Sequence, residues 1–357
     1  MIQPIVAIDD RLKPLPDELA RLGATVIPFR GGSLTNAELR DKGITALLIR
    51  STTRVHAGLL EDTSVQFVGT ATSGTDHIDH RWCVAHGITV VDARGSNANA
   101  VAEWVLSMLV HLHGGLEGQT LGVVGVGHVG RRVVSLAQAL GMNILTNDPP
   151  RVAAGDVPPH HVPLEELLQR ATIVSLHVPF IPYGEHPTLH LLSAERLALM
   201  PRGSVLINAA RGGIVDEAAL KRRLKGESMQ AILDTFDGEP DVDASLVSLC
   251  TFATPHVAGH TVNGFVDASR IIGVAFCNAA GLAATALSDA LDAIVAPPAL
   301  AVPADPSAVR SVLARRRPLL QDSMTFLDEA AARPLRFGQL FSMRRAGYPL
   351  RPETYRC

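Results

Sequence analysis

The chain has 357 residues, with 32 Lys plus Arg against 35 Asp plus Glu, a formal net charge of −3 and 47% apolar residues, a balance that excludes a disordered or fibrous protein. At roughly 150 residues per domain, this length accommodates two or three domains with sizeable cores and a cleft between them. Its four cysteines, Cys83, Cys250, Cys277 and Cys357, show no paired spacing, so neither a disulfide framework nor a Cys-x-x-Cys metal site can be drawn, and a reducing, cytoplasmic compartment is the expectation.

The opening Met1–Asp10 lacks a basic start and meets acids too soon for a secretory signal, and it reads as a first buried strand. From Ile5 to about Val91, apolar runs such as Ile5–Ile8, Ala24–Ile27, Ala46–Ile49 and Val65–Gly69 alternate with amphipathic stretches, the pattern of βαβ units on a parallel sheet. Asn97 to His113 has apolar residues at 101, 104, 105, 108 and 109, one face of a helix with Asn97 or Asn99 as its cap. A second βα series then runs through Leu121–Val124, Asn143–Thr146, Thr172–Leu176, Ser204–Asn208, Ala231–Asp234 and Thr251–Thr254, enough strands for a full doubly wound sheet.

After about Ala268 the composition becomes Ala-rich. Ile271 to Ser288 carries no charge, but its Ala, Gly, Asn278 and Thr285 read as packed helix rather than membrane span. Ala296–Ala299 and Val302–Pro306 form a proline-punctuated linker to a third module. From Arg310 to Cys357 there are ten Arg and no Lys against four acids. Their interleaving with Leu, Phe and Tyr, without a nucleic-acid-binding motif, points to an interface between copies or to exposed helix faces rather than to nucleic acid.

Gly125-Val126-Gly127-His128-Val129-Gly130 follows one of these apolar strands and precedes a helical stretch, Arg131–Leu140. That is the setting in which Gly-x-Gly-x-x-Gly binds a dinucleotide, with the pyrophosphate on the helix N-terminus. The His128 backbone N–H faces that pyrophosphate, and Asp148, at the end of the next strand, is placed to accept hydrogen bonds from a ribose diol. A carboxylate there repels a 2′-phosphate, which favours NAD over NADP.

Arg211, Glu239 and His256 stand just beyond the ends of three late strands, where ligands bind in open α/β sheets. Each has a plainer role alone: Arg211 as a helix cap, Glu239 as a turn residue before Pro240, His256 as one of 14 histidines. Together they suit hydride transfer from a 2-hydroxy acid. His256 moves the hydroxyl proton, Glu239 fixes its tautomer, and Arg211 grips the carboxylate and polarises the carbonyl. Asp234, at a strand tip, is either a nicotinamide-amide acceptor or a helix cap.

Asn208–Asp216, Asp234–Pro240 and Pro255–Gly259 resemble the D-isomer-specific 2-hydroxyacid dehydrogenase family, and the resemblance covers residues 1 to about 275. It implies that Arg211, Glu239 and His256 are catalytic and that His128, Val129, Asp148, Val178, Ala209, Asp234 and Gly259 line an NAD site with the glycine loop. Ile49–Val55, Phe67–Asp79, Gly95–Glu103 and the tail Phe337–Glu353 are similar to family members acting on a small phosphorylated 2-hydroxy acid. The likeness nominates Ser51, Thr72 and Arg50 as substrate ligands; the usual Tyr after His-x-Ala-Gly is His260 here, a changed substrate contact.

The implied architecture is α/β. A flavodoxin-like split substrate lobe (1–96, completed by a helix near 268–288) closes as a lid on a doubly wound Rossmann-type NAD domain (97–267). A small α+β module (289–357) joins two copies in a homodimer, so deleting residues 300–357 is expected to give monomer. The competing class is an NADH-sensing binding protein, like the co-repressors that share this fold.

Overall fold

A computed structural model describes residues 4–226, 229–294, 300–301, 305–315 and 317–356. The prolines at 297, 298 and 303, and Cys357, lie outside the described residues. The chain divides into two compact units, Met1–Asn97 with Thr261–Ala299 and Ala98–His260 with Leu300–Cys357.

In the first unit, β1 (Ile5–Asp9), β2 (Thr25–Phe29), β3 (Ala46–Ile49), β4 (Phe67–Thr70) and β5 (Thr89–Asp92) form one parallel sheet in the order β2-β1-β3-β4-β5, the flavodoxin arrangement. Central strands with both faces covered are continuous apolar runs, and Val6–Ile8 and Leu47–Ile49 are wholly buried. The helix Val262–Ala280 lays Ile272 and Phe276 on one face, the Phe276 ring edge-on to Phe67 at 5.9 Å. Thr261 Oγ1 caps its start by accepting the Gly264 amide at 3.0 Å, and left-handed Gly281 ends it. The uncharged stretch Ile271–Ser288 is therefore split between this helix and Ala284–Asp292, and no helix among the described residues is long and apolar enough to cross a membrane.

The second unit carries β6 (Thr120–Val124), β7 (Asn143–Asn147), β8 (Ile173–Leu176), β9 (Ser204–Asn208), β10 (Met229–Leu233) and β11 (Phe252–Ala253), all parallel, in the order β11-β10-β9-β8-β6-β7. The order reverses between β6 and β8, the switch point where such sheets open a crevice. The register aligns Val124 with Leu176, Leu176 with Asn208, Asn208 with Leu233, and Leu233 with Ala253. The next residue of each strand, Gly125, His177, Ala209, Asp234 and Thr254, consequently falls on one row at the carboxyl ends.

Helices Pro306–Ala314, Arg317–Ala332 and Phe337–Ala346 belong to this unit by packing. Phe326, Phe337 and Phe341 enter the core on one face of the sheet, where Phe341 meets Phe236 edge-on at 6.2 Å; Val309, Leu313, Leu319 and Tyr355 enter the core on the other. The Ala253 amide donates to Ser323 Oγ at 2.8 Å, and the far strand β7 exchanges backbone bonds through Thr146 with His160 and Val162.

Candidate active site

The glycine loop follows from crowding. Gly125 has φ +87, and a side chain there would meet the His177 backbone at 2.8 Å and Val178 Cγ1 at 2.9 Å; a Cβ on Gly130 would lie 2.0 Å from the Gly125 carbonyl oxygen. Gly127 faces open space at the start of the helix His128–Ala139, whose first turn has no side-chain cap, so its amides are presented to an anion. The row therefore brings Gly125, Gly127, His128, Val129, Gly130, Val178 and Ala209 to one end of the sheet, and the residues present fit a dinucleotide pyrophosphate. Loss of solvent pushes the neighbouring His177 imidazole down to about 3, keeping it neutral, with its Nε2 2.9 Å from Ser175 Oγ.

Asp148 stands at the end of β7 as expected, and its carboxylate is already partly used. Oδ2 accepts the Val126 amide at 2.7 Å, inside the glycine loop, and Oδ1 accepts the Arg151 amide at 3.2 Å, capping a short helix. Each oxygen keeps a second lone pair for a ribose hydroxyl. Arg151 is held by the Val126 carbonyl at 2.9 Å and by Asp156 at 2.7 Å.

Asn208 shapes the next turn: its side chain accepts the Ala210 amide at 3.1 Å and donates to the Arg211 carbonyl at 2.8 Å. Gly212 is required here, because a Cβ would fall 1.9 Å from the Phe236 carbonyl oxygen. This close approach joins the loop bearing Arg211 to the loop bearing Glu239. The Arg211 guanidinium reaches back to the Ala210 carbonyl at 2.7 Å.

Glu239 and His256 meet. His256 Nδ1 lies 2.7 Å from Glu239 Oε2, while Oε1 accepts the Phe236 amide at 3.0 Å. Burial raises the Glu239 carboxyl, but the His256 bond and charge, the Phe236 amide and Arg345 outweigh it and hold it below the usual range. An ionised acceptor fixes the proton on Nδ1 and leaves Nε2 as the proton-accepting nitrogen; Nε2 has no hydrogen-bond partner among the described residues, and the ring is 28% exposed. His256 itself sits at φ +57, a left-handed conformation that turns the ring out of the strand path.

Asp234 is 1% exposed. Its carboxylate accepts the Thr254 hydroxyl at 2.5 Å and the Val257 and Ala258 amides at 2.7 and 2.9 Å, so it holds the loop that carries His256. Burial raises its carboxyl against those bonds and the His256 charge. Gly259 and His260 follow on the same loop, the His260 ring 6.3 Å from that of Tyr348.

Ser51, Thr72 and Arg50 lie in the first unit, past the register-paired Ile49 and Thr70 of β3 and β4. Ser51 is exposed. Thr72 Oγ1 donates to the Gly74 carbonyl at 2.6 Å and lies 2.8 Å from Thr70 Oγ1, while Arg50 Nε donates to buried Asp9 at 3.0 Å. A separate cavity of about 390 Å³ is lined by Thr35, Asn36, Thr52, Thr53, Arg54 and His56 and includes none of these three.

Residues 94–258 match the D-isomer specific 2-hydroxyacid dehydrogenase, NAD binding domain. The erythronate-4-phosphate dehydrogenase of Acinetobacter baumannii strain AYE is 40% identical over 255 residues, 70% of either chain. That of Pseudomonas syringae pv. syringae strain B728a is 42% identical over 278 residues, 76% of this chain and 71% of its own. This chain belongs to the D-isomer-specific 2-hydroxyacid dehydrogenase family. A crystal structure of the TT0316 protein from Thermus thermophilus superposes with TM-score 0.63 at 29% identity, covering 76% of this chain and 94% of that one.

Membership makes the unit with the glycine loop an NAD-binding, Rossmann-type domain and the chain an oxidoreductase. Two residues near the Glu239–His256 pair have no sequence signal of their own. Arg345, far along the chain, places Nη1 3.5 Å from Glu239 Oε2. Glu217 accepts the Asp237 amide at 2.7 Å, and burial, with Asp237, Asp243 and Glu239 adding repulsion, pushes its carboxyl up to about 7 against that bond.

The folded chain holds the Glu217 proton more tightly than the unfolded chain, so stability falls as pH rises between 4.5 and about 7. Glu217→Gln is therefore expected to stabilise the protein by roughly 2 kcal/mol near pH 8 and to gain nothing near pH 4. Urea denaturation at the two pH values measures it, and an equal gain at both would refute the buried-acid account.

Proposed function

We propose that the chain oxidises C2 of 4-phospho-D-erythronate to (R)-3-hydroxy-2-oxo-4-phosphooxybutanoate, a step of pyridoxine (vitamin B6) biosynthesis. The observation that carries the reaction class is the 2.7 Å Glu239–His256 pair on the sheet end that also bears the glycine loop. The erythronate ester is supported by relatives of that name at about 40% identity and by the likeness of Ile49–Val55, Phe67–Asp79 and the tail to that enzyme.

Bound NAD supplies the hydride acceptor. His256 Nε2 takes the hydroxyl proton, and Glu239 keeps the opposite nitrogen protonated and stabilises the resulting imidazolium. Arg211 grips the substrate carboxylate and polarises the C2 oxygen. Ser51, Thr72, Arg50 and His260 are assigned to the substrate's hydroxyl and phosphate groups. The first unit is assigned as the substrate-binding lid and the segment from 289 as the surface joining two copies. Leu335, fully exposed, and Met343, Met324 and Leu350, exposed at 71%, 56% and 46%, are apolar side chains in that segment available for such a contact. Free, buried Cys83, Cys250 and Cys277 accord with a cytoplasmic setting.

Asp148→Ala is expected to weaken NAD binding about tenfold and to narrow its preference over NADP. The loss has two sources, the ribose contact and the Val126 amide bond that shapes the glycine loop. Fluorescence titration with both reduced cofactors checks this, and unchanged affinities would remove the residue from the site.

The deciding experiment is NADH formation with 4-phospho-D-erythronate, run beside D-3-phosphoglycerate and unphosphorylated D-2-hydroxy acids. Selective turnover of the erythronate ester supports the reading. His260, in place of the usual Tyr, favours one second reading, a different D-2-hydroxy acid, and turnover confined to such an acid would establish it. Silence on all of them with NADH still bound would favour a sensing protein.

A further inference from the structure

We infer that the C-terminal segment is a positioning element for the Glu239–His256 pair, in which Arg345 biases the charge of the pair and Arg351 fixes the loop that carries the imidazole. The inference rests on the catalytic reading of that pair.

The loop after His256 is held from both sides of its backbone. Asp234 takes the Val257 and Ala258 amides. Arg351 takes the carbonyls: Nη1 donates to Val257 at 2.9 Å and to His260 at 3.3 Å, and Nη2 donates to Ala258 and, at 3.4 Å, to Ala100. A planar fork is suited to such divergent acceptors, and an ammonium is not. The segment is anchored just beyond Arg351, where buried Glu103 accepts the Thr354 and Tyr355 amides at 2.7 and 2.6 Å.

Arg345 acts on the other half of the pair. Its Nη1 lies 3.5 Å from Oε2 of Glu239, the oxygen that also accepts from His256 at 2.7 Å. Among the described residues, charged groups interacting with the pair include Arg345 from the helix Phe337–Ala346, Asp234 from the end of β10, and Glu217 from the helix Glu217–Lys225, itself beside Asp237 and Asp243. Arg345 is the cation among these named groups. It shares the carboxylate charge that would otherwise act on the imidazole alone, so its removal strengthens the hold of Glu239 on a proton taken up by His256.

The test uses the full chain. The His256 ring is titrated by proton NMR, its resonance assigned by loss in His256→Gln, beside the pH profile of kcat/KM for hydroxy-acid oxidation. In Arg345→Gln the titration midpoint and the acid limb are both expected to rise by roughly half to one pH unit, with NADH affinity kept within about twofold; an unmoved midpoint overturns the part given to Arg345. In Arg351→Gln, kcat is expected to fall about tenfold or more at unchanged NADH affinity, and kcat within about twofold of the parent overturns the part given to Arg351. Should that variant fail to fold, Arg351→Lys, which keeps the charge and loses the fork, carries the same reading. The NMR titration needs no substrate, so a shifted midpoint in a protein that turns over no hydroxy acid would sink the assigned reaction and leave this inference standing.

Discussion

His256→Gln is expected to lower kcat by about 10³-fold while NADH binds with nearly its original affinity. The substitution keeps a side-chain amide that can donate to Glu239 Oε2, as the imidazole does at 2.7 Å, so the loop and the neighbouring charges stay in place. What disappears is the second nitrogen, the atom able to take up a proton. Steady-state turnover and fluorescence titration of the same preparation separate the two effects. A variant that retained more than about a tenth of the parent kcat would dismiss His256 as the base. One that lost NADH binding in parallel would indicate a structural role instead.

Deleting residues 300–357 is expected to unfold the cofactor-binding unit rather than release a folded monomer. Phe326, Phe337 and Phe341 would leave one core, and Val309, Leu313, Leu319 and Tyr355 the other, all of them at most 3% exposed. At roughly 1.5–3 kcal/mol per large apolar side chain, the loss reaches roughly 10 kcal/mol or more, comparable with the roughly 5–15 kcal/mol that stabilises a whole protein. The Ala253 amide would lose Ser323, and the carbonyls after His256 would lose Arg351. A soluble deletion variant with a cooperative melt and intact NADH binding would contradict this. Assembly is accordingly better tested by placing charges at exposed Leu335 and Met343, which leave both cores intact.

The two sheets were legible because strands covered on both faces are written as unbroken apolar runs, as in Leu47–Ile49 and Val205–Ile207, all at most 1% exposed. The glycine loop was legible because its spacing encodes local backbone crowding. Arg211, Glu239 and His256 were nominated from their places after strands, and in-register parallel pairing brings Glu239 and His256 within 2.7 Å of each other. What could not be read were contacts set by tertiary packing alone. Nothing near Arg345 or Arg351 in sequence marks them as neighbours of the Glu239 and His256 loops, and the Arg-rich tail reads as a separate surface because its buried Phe residues are interleaved with charge. Asp148 and Asp234 were placed at strand ends, but their bonds to the Val126 amide and to the amides after His256 depend on loop conformations that no periodicity specifies.

The outer strands of the second sheet bear on whether a strand from another molecule could extend it. On β11 the outward Ala253 amide is taken by Ser323, and on β7 the outward groups of Thr146 are taken by His160 and Val162. At these two points the border of the sheet is already hydrogen-bonded and offers no partner to a strand from another molecule. A strand meeting the sheet at either point would have to displace those bonds, which disfavours continuing the sheet from one molecule into the next.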